Sequence, residues 1–225
     1  MPWRQSKPMT VQYDSIGGAG LQFFGTVSAS ISHELKNVLA IINENAGLLE
    51  DLTFAARRGS PIDPDKLDRT VQNFTKQIHR ADEILKNMNR FAHSVDQFEC
   101  QVDLHDLVLL VANLAARKAA MGRISLETTA PAQPIHLTCN PFLLENLVWL
   151  CLELAIAATG SGRTLTLTLT PEKTASAIRL HIAGIDGLGE TSATRNAAGI
   201  EAILAALGAE MTTDPAGHTL TLSLA

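Results

Sequence analysis

His33, Glu34 and Asn37 place an imidazole, a carboxylate and a carboxamide within little more than one helical turn, in the run Ser32-His33-Glu34-Leu35-Lys36-Asn37. The surrounding segment has the apolar spacing of an amphipathic helix, so side-chain directions follow from about 100° of rotation per residue. With His33 at zero, Phe24, Ile31, Leu35, Val38, Ile42 and Leu49 fall within about 40° of the opposite pole, and the imidazole points to solvent. Asn37 lies about 40° from His33 and Glu34 about 100° away, so all three can reach one reacting group on the helix surface. A neutral imidazole so placed is a nucleophile, and a carboxylate hydrogen-bonded to it selects one tautomer and raises its basicity. The plain alternative is a His-Glu pair on a solvated helix face. Zinc hydrolysis is excluded, because the helical HExxH pattern needs a second histidine where Asn37 stands.

Two long helices must carry these residues. Residues 1–20 mix polar residues with Gly17-Gly18-Ala19-Gly20 and show no periodicity, which predicts a flexible leader. Apolar residues then recur every three or four positions from Leu21 to Leu52, and Gly59-Ser60-Pro61 with Pro64 ends the pattern. From Leu67 the series Val71, Phe74, Ile78, Ala81, Leu85, Met88 alternates steps of three and four, the spacing of a bundle seam. A hairpin of two such helices leaves an apolar face that two copies would cover as a four-helix bundle, which predicts a homodimer.

After about residue 97 short strands alternate with helices. Strands are expected at 99–103, 124–128, 134–138, 163–170, 177–183, 209–213 and 218–224, and helices at 104–121, 140–159 and 195–207. The expected organisation is a leader (1–20), a helical hairpin (21–96) and an α/β sandwich with helices on one face of a mixed sheet (97–225), an α+β chain.

Composition narrows the function classes. Net charge is −5, and from Cys100 onward seven Lys or Arg face eleven Asp or Glu, so nothing attracts a phosphate backbone and nucleic acid is not expected. Cys100, Cys139 and Cys151 are an odd number without CxxC spacing, read as reduced core thiols rather than metal ligands. The N-terminal run lacks a signal-peptide core, and the greasiest segment, 142–158, is interrupted by Glu145, Asn146 and Glu153, so no membrane insertion and a cytoplasmic location are expected.

The hairpin resembles the dimerisation and histidine-phosphotransfer domain of bacterial sensor histidine kinases, whose first helix carries a box like S-H-E-x-x-N. The resemblance implies that His33 attacks a phosphoryl group, that Glu34 orients it and takes its proton, and that Asn37 positions water for dephosphorylation of a partner. Residues 99–225 resemble the ATP-binding domain of that family in element order, with a helix entered through Cys139-Asn140-Pro141 and Gly199-Ile200 opening the late helix. The residues that the family uses for nucleotide are degenerate. Leu154, before Ala155, stands where an asparagine holds Mg²⁺, and a side chain without oxygen cannot ligate a hard cation. Leu150 replaces a polar residue one turn earlier. The DxGxG loop survives only as Gly184, Asp186, Gly187 and Gly189, and the second glycine loop runs from Thr194 to Gly199. An ordinary turn is the alternative reading of the first loop.

The combination is similar to kinase-derived histidine phosphotransferases of phosphorelays. It implies a chain with no cofactor of its own and no ATP binding, which accepts phosphoryl on His33 from a response-regulator receiver domain that brings its own Mg²⁺. Thr26, Ser30, Lys36 and Asn37 lie within about 60° of His33 and would dock the receiver; a solvated face is the alternative for each. A receiver phosphatase using Glu34 and Asn37, a pseudokinase that binds a sensor kinase, and an atypical active kinase remain open.

Overall fold

The computed structural model describes residues 9–171, 177–187 and 197–224. The chain is α+β, with five helices and seven strands among the described residues. It divides into two compact units: Val27–Arg90, and Met1–Thr26 together with Phe91–Ala225.

Helix α1 (Met9–Arg57) and helix α2 (Pro64–His93) form an antiparallel hairpin. The leader expected at 1–20 is corrected from Met9 onward, where the helix already runs. Aromatic packing explains this. Phe23 lies with its ring centroid 5.1 Å from Phe91, 5.6 Å from Phe142 and 5.6 Å from Trp149, and Gly20 and Phe23 of α1 are buried. Gly20 reads on sequence as flexibility, yet it works by close approach, since a Cβ there would stand 3.2 Å from the Phe142 ring. The same cluster moves the expected boundaries at 20/21 and 96/97, because residues up to Thr26 and from Phe91 belong to the unit that holds the sheet.

In the unit Val27–Arg90 the buried residues of α1 include Ile31, Val38 and Asn45, seven apart, and those of α2 include Thr70 and Gln77, also seven apart. The seam expected on α2 therefore splits. Phe74 and Ala81 are half-buried, while Val71, Ile78 and Leu85 are 51%, 54% and 43% exposed. Burial within the hairpin is centred one residue earlier than the apolar series, which leaves Val71, Ile78 and Leu85 as an apolar stripe about half exposed among the described residues.

The α/β unit follows a short 3-10 turn at Ser94–Asp96. Strands β1 (Cys100–Asp103) and β3 (His136–Cys139) pair as a separate antiparallel ladder. The main sheet has the order β2-β4-β5-β7-β6, with β2 (Ser125–Thr129) parallel to β4 (Thr164–Pro171), and β5 (Ile178–Ala183), β6 (Glu210–Asp214) and β7 (Thr219–Leu224) joined in antiparallel pairs. Alternation decides its faces. Leu165, Leu167, Leu169, Leu180, Ile182, Leu220 and Leu222 are buried, whereas on the opposite face His181 lies between the hydroxyls of Thr170 and Thr221, at 3.0 and 3.1 Å.

Both ladder strands lead into helix caps. Asp103 accepts the N–H groups of His105 and Asp106 at the start of α3 (Leu104–Met121). Asn140 accepts from Leu143 N at the start of α4 (Pro141–Ala157), with Pro141 in the first turn, where its missing N–H costs nothing. Helix α5 (Ala197–Leu207) comes before β6. Among the described residues no helix is long and apolar enough to cross a membrane, and no group of three His, Cys, Asp or Glu side chains is placed to hold a metal ion.

Candidate functional site

His33 is exposed on α1, and the residues expected behind it are turned inward: Ile31 and Val38 are buried, and Leu35, Ile42 and Leu49 are half-buried. Phe24 departs from this pattern at 40% exposure, with its ring stacked on Phe91, 5.4 Å between centroids. Lys36 and Asn37 share the exposed side of the helix with His33, and Ser30 is half-buried. Thr26 belongs to the other unit, where its hydroxyl is turned back to the Gln22 carbonyl at 2.7 Å.

Glu34 is held by α2. Its carboxylate lies 3.8 Å from the Arg80 guanidinium, with side-chain exposures of 20% for Glu34 and 50% for Arg80. Sequence reasoning did not find Arg80, because nothing in the spacing of α2 marks which of its cations comes level with the fourth decade of α1. In this geometry the carboxylate of Glu34 has a cation from α2 as a neighbour, a partly exposed pair that offsets part of its charge.

Several of the residues read from sequence as a degenerate nucleotide site have partners within the chain. Asp186 Oδ2 accepts the Gly160 N–H at 3.2 Å and Oδ1 lies 3.2 Å from Arg163, tying the β5 exit to the turn before β4. Gly187 N donates to Ala158 O at 3.0 Å. Gly184 takes φ of +94° and sits where a Cβ would stand 2.3 Å from the Thr164 carbonyl oxygen, so its role in this fold is steric. Gly189, with Thr194 to Asn196 of the second loop, lies outside the described residues. Leu150 is buried and Leu154 half-buried. Neither side chain offers an oxygen to a hard cation.

The surface beside Leu150 is covered by this chain. Ala19, Gln22, Phe23 and Thr26 of α1 meet Asn146, Trp149, Leu150 and Glu153 of α4 and Gly199 of α5 around a cavity of about 50 Å³. A Cβ on Gly199 would meet the Ala19 Cβ at 3.4 Å, an ordinary contact distance. Glu153 is paired with Lys118, whose ammonium lies 5.9 Å from the Trp149 ring centroid. Asn146 is fully buried, and among the described residues neither its Nδ2 nor its Oδ1 has a hydrogen-bond partner. A buried amide left unsatisfied costs about 1–3 kcal/mol. Asn146→Leu is therefore expected to raise unfolding stability by about 1 kcal/mol, read as a higher urea midpoint at unchanged m-value. A lower midpoint would mean that water in the cavity satisfies the amide.

No family model matches the chain, and no curated protein matches it. Among solved structures it is similar to the Acinetobacter baumannii histidine kinase AdeS, at 14% identity over 86% of this chain and 97% of that one, with a TM-score of 0.47. It is also similar to the cytoplasmic segment of histidine kinase QseC, at 18% identity over 65% and 93%, TM-score 0.44. A bacterial phosphotransferase solved at 1.7 Å is 14% identical over 91% and 96%, TM-score 0.46. Similarities of this size assign no activity.

Proposed function

We propose that this chain is a histidine phosphotransferase of a two-component phosphorelay, which takes a phosphoryl group onto His33 from the aspartyl phosphate of one response-regulator receiver domain and passes it to another without using ATP. The observation that carries this reading is a contrast: His33 stands exposed beside Glu34 and Asn37, while several of the degenerate nucleotide positions have partners within the chain. In the transfer, a ring nitrogen of His33 forms the N–P bond as the bond from phosphorus to the aspartyl oxygen breaks. The receiver recovers its carboxylate, and the second ring nitrogen gives its proton to Glu34. The receiver supplies Mg²⁺. Lys36, Asn37 and Ser30 form the docking face around His33, and the chain works in the cytoplasm.

Two copies would form the working unit. Leu67, Val71, Ile78 and Leu85 leave an apolar stripe on α2 that a second hairpin would cover in a four-helix bundle. Ile78→Glu is expected to convert a dimer into a monomer in light scattering after size exclusion, and an unchanged mass would sink the dimer.

The phosphotransfer reading is tested by incubating the protein, and His33→Ala beside it, first with Mg²⁺ and γ-labelled ATP and then with labelled phospho-receivers. Acid-labile label on His33 from the receivers alone is the expected result; label from ATP would make the chain an active kinase. The pairing of Glu34 with Arg80 supports one second reading. Glu34 and Asn37 could hold an attacking water and make the chain a receiver phosphatase, in which case Asn37→Ala, but not His33→Ala, would abolish loss of phosphate from the receiver. Unphosphorylated heterodimers with a sensor kinase would point instead to a regulatory pseudokinase.

A further inference from the structure

The register of the β1–β3 ladder sets Cys100 directly opposite Cys139. At the other end of the ladder Leu104 N donates to Ile135 O at 2.9 Å. Antiparallel partners alternate between hydrogen-bonded and non-hydrogen-bonded pairs. Cys100 and Cys139 lie four residues along from that pair and are therefore hydrogen-bonded partners too, with Cα atoms about 5.5 Å apart. Disulfides span Cα separations of about 4.4 to 6.8 Å, most often near this value, and Cβ separations of about 3.5 to 4.5 Å, so closing the bond draws the two strands together at this end of the ladder and leaves a strained, readily reduced disulfide. Cross-strand partners also project from the same face of a ladder. Both thiols are half-buried and so reachable from solvent, whereas Cys151 is fully buried in α4 with its sulfur 3.8 Å from the Met211 sulfur.

We propose that Cys100 and Cys139 form a reversible disulfide, a modification site for hydroperoxide oxidants, at the ladder through which the chain passes from the end of α2 into the α/β unit. Burial, then the neighbouring Cys100 thiol and the Glu99 and Glu145 carboxylates, pushes the Cys139 thiol up to about 11, so the reaction begins at Cys100. The Cys100 thiolate attacks the peroxide, the O–O bond breaks, and Cys100 becomes a sulfenic acid as an alcohol or water leaves with the thiol proton. Cys139 then attacks the Cys100 sulfur. The S–S bond forms, the S–O bond breaks, and hydroxide departs with the Cys139 proton as water. Two electrons pass from the two sulfurs to the peroxide. The closed loop holds α3 and β2, and the bond pins the strand after the Ser94–Asp96 turn to the strand that caps α4.

The test treats the full chain with hydrogen peroxide, blocks remaining thiols under denaturing conditions, counts them, and maps the peptides without reduction. One remaining thiol, Cys151, with the Cys100 and Cys139 peptides joined within one chain and dithiothreitol restoring all three, is the expected result. In Cys139→Ser, Cys100 should stop at the sulfenic acid and be trapped by dimedone. Three thiols surviving in the wild type, or Cys100 joined only to another chain, would overturn the proposal.

Discussion

Gly184→Ala should cost at least about 3 kcal/mol of stability, a large share of the margin of about 5–15 kcal/mol usual for a domain. Two independent penalties add. The backbone at Gly184 has φ of +94°, a region in which an L side chain is strained by about 1–3 kcal/mol. The new Cβ would also stand 2.3 Å from the Thr164 carbonyl oxygen, and that oxygen belongs to β4, which is pinned by β2 on one side and β5 on the other. The alanine cannot rotate away, because the Gly184 and Ile185 N–H groups both donate to His218 O at 3.1 Å. Gly187→Ala is the internal control: its Cβ would meet the Ala158 oxygen at an ordinary 3.6 Å, and its midpoint in urea should move little. Equal midpoints for the two variants would refute the steric account of Gly184. Neither result depends on nucleotide.

Phe91→Ala should destabilise the same unit by about 3–5 kcal/mol. Phe91 is 1% exposed and joins Phe23, Phe24 and Phe142 at centroid distances of 5.1, 5.4 and 6.2 Å. Its removal takes away the transfer free energy of a buried ring and leaves a cavity between rigid helices that cannot collapse to fill it. Because Phe23 also lies against Trp149, the loss should loosen the first turns of α1 from α4 and shift Trp149 emission to the red. Phe24→Ala, at a ring 40% exposed, should cost distinctly less. A Phe91 variant no less stable than the Phe24 variant would mean that the first turns of α1 contribute little to this unit.

The local elements were legible in the sequence because local rules decide them. Asp103 and Asn140 are cap residues placed just before apolar helical runs, and α3 spans Leu104–Met121, as the pattern predicts. The alternation in Leu165-Thr166-Leu167-Thr168-Leu169 marks β4 within one residue and already assigns its faces. The outward direction of His33 follows in the same way, because a single helix has one period and the apolar residues opposite it leave one side free.

What tertiary structure decided were contacts between residues far apart in the chain, for which no spacing exists. Gly17-Gly18-Ala19-Gly20 reads as a loop by composition, and it is the approach of Phe142 to Gly20 and the packing of Phe23 against Phe91, edge to face, and Trp149 that hold this stretch of helix. Periodicity finds an apolar series on α2 but not which of its residues the hairpin itself covers. Burial within one chain falls on Thr70 and Gln77, and Val71, Ile78 and Leu85 are left over. Arg80 beside Glu34, Asp186 spent on Gly160 and Arg163, and Cys100 across from Cys139 all depend on register and on loop closure. Sequence periodicity sets the face a residue presents, and the packing of distant segments sets what that face meets.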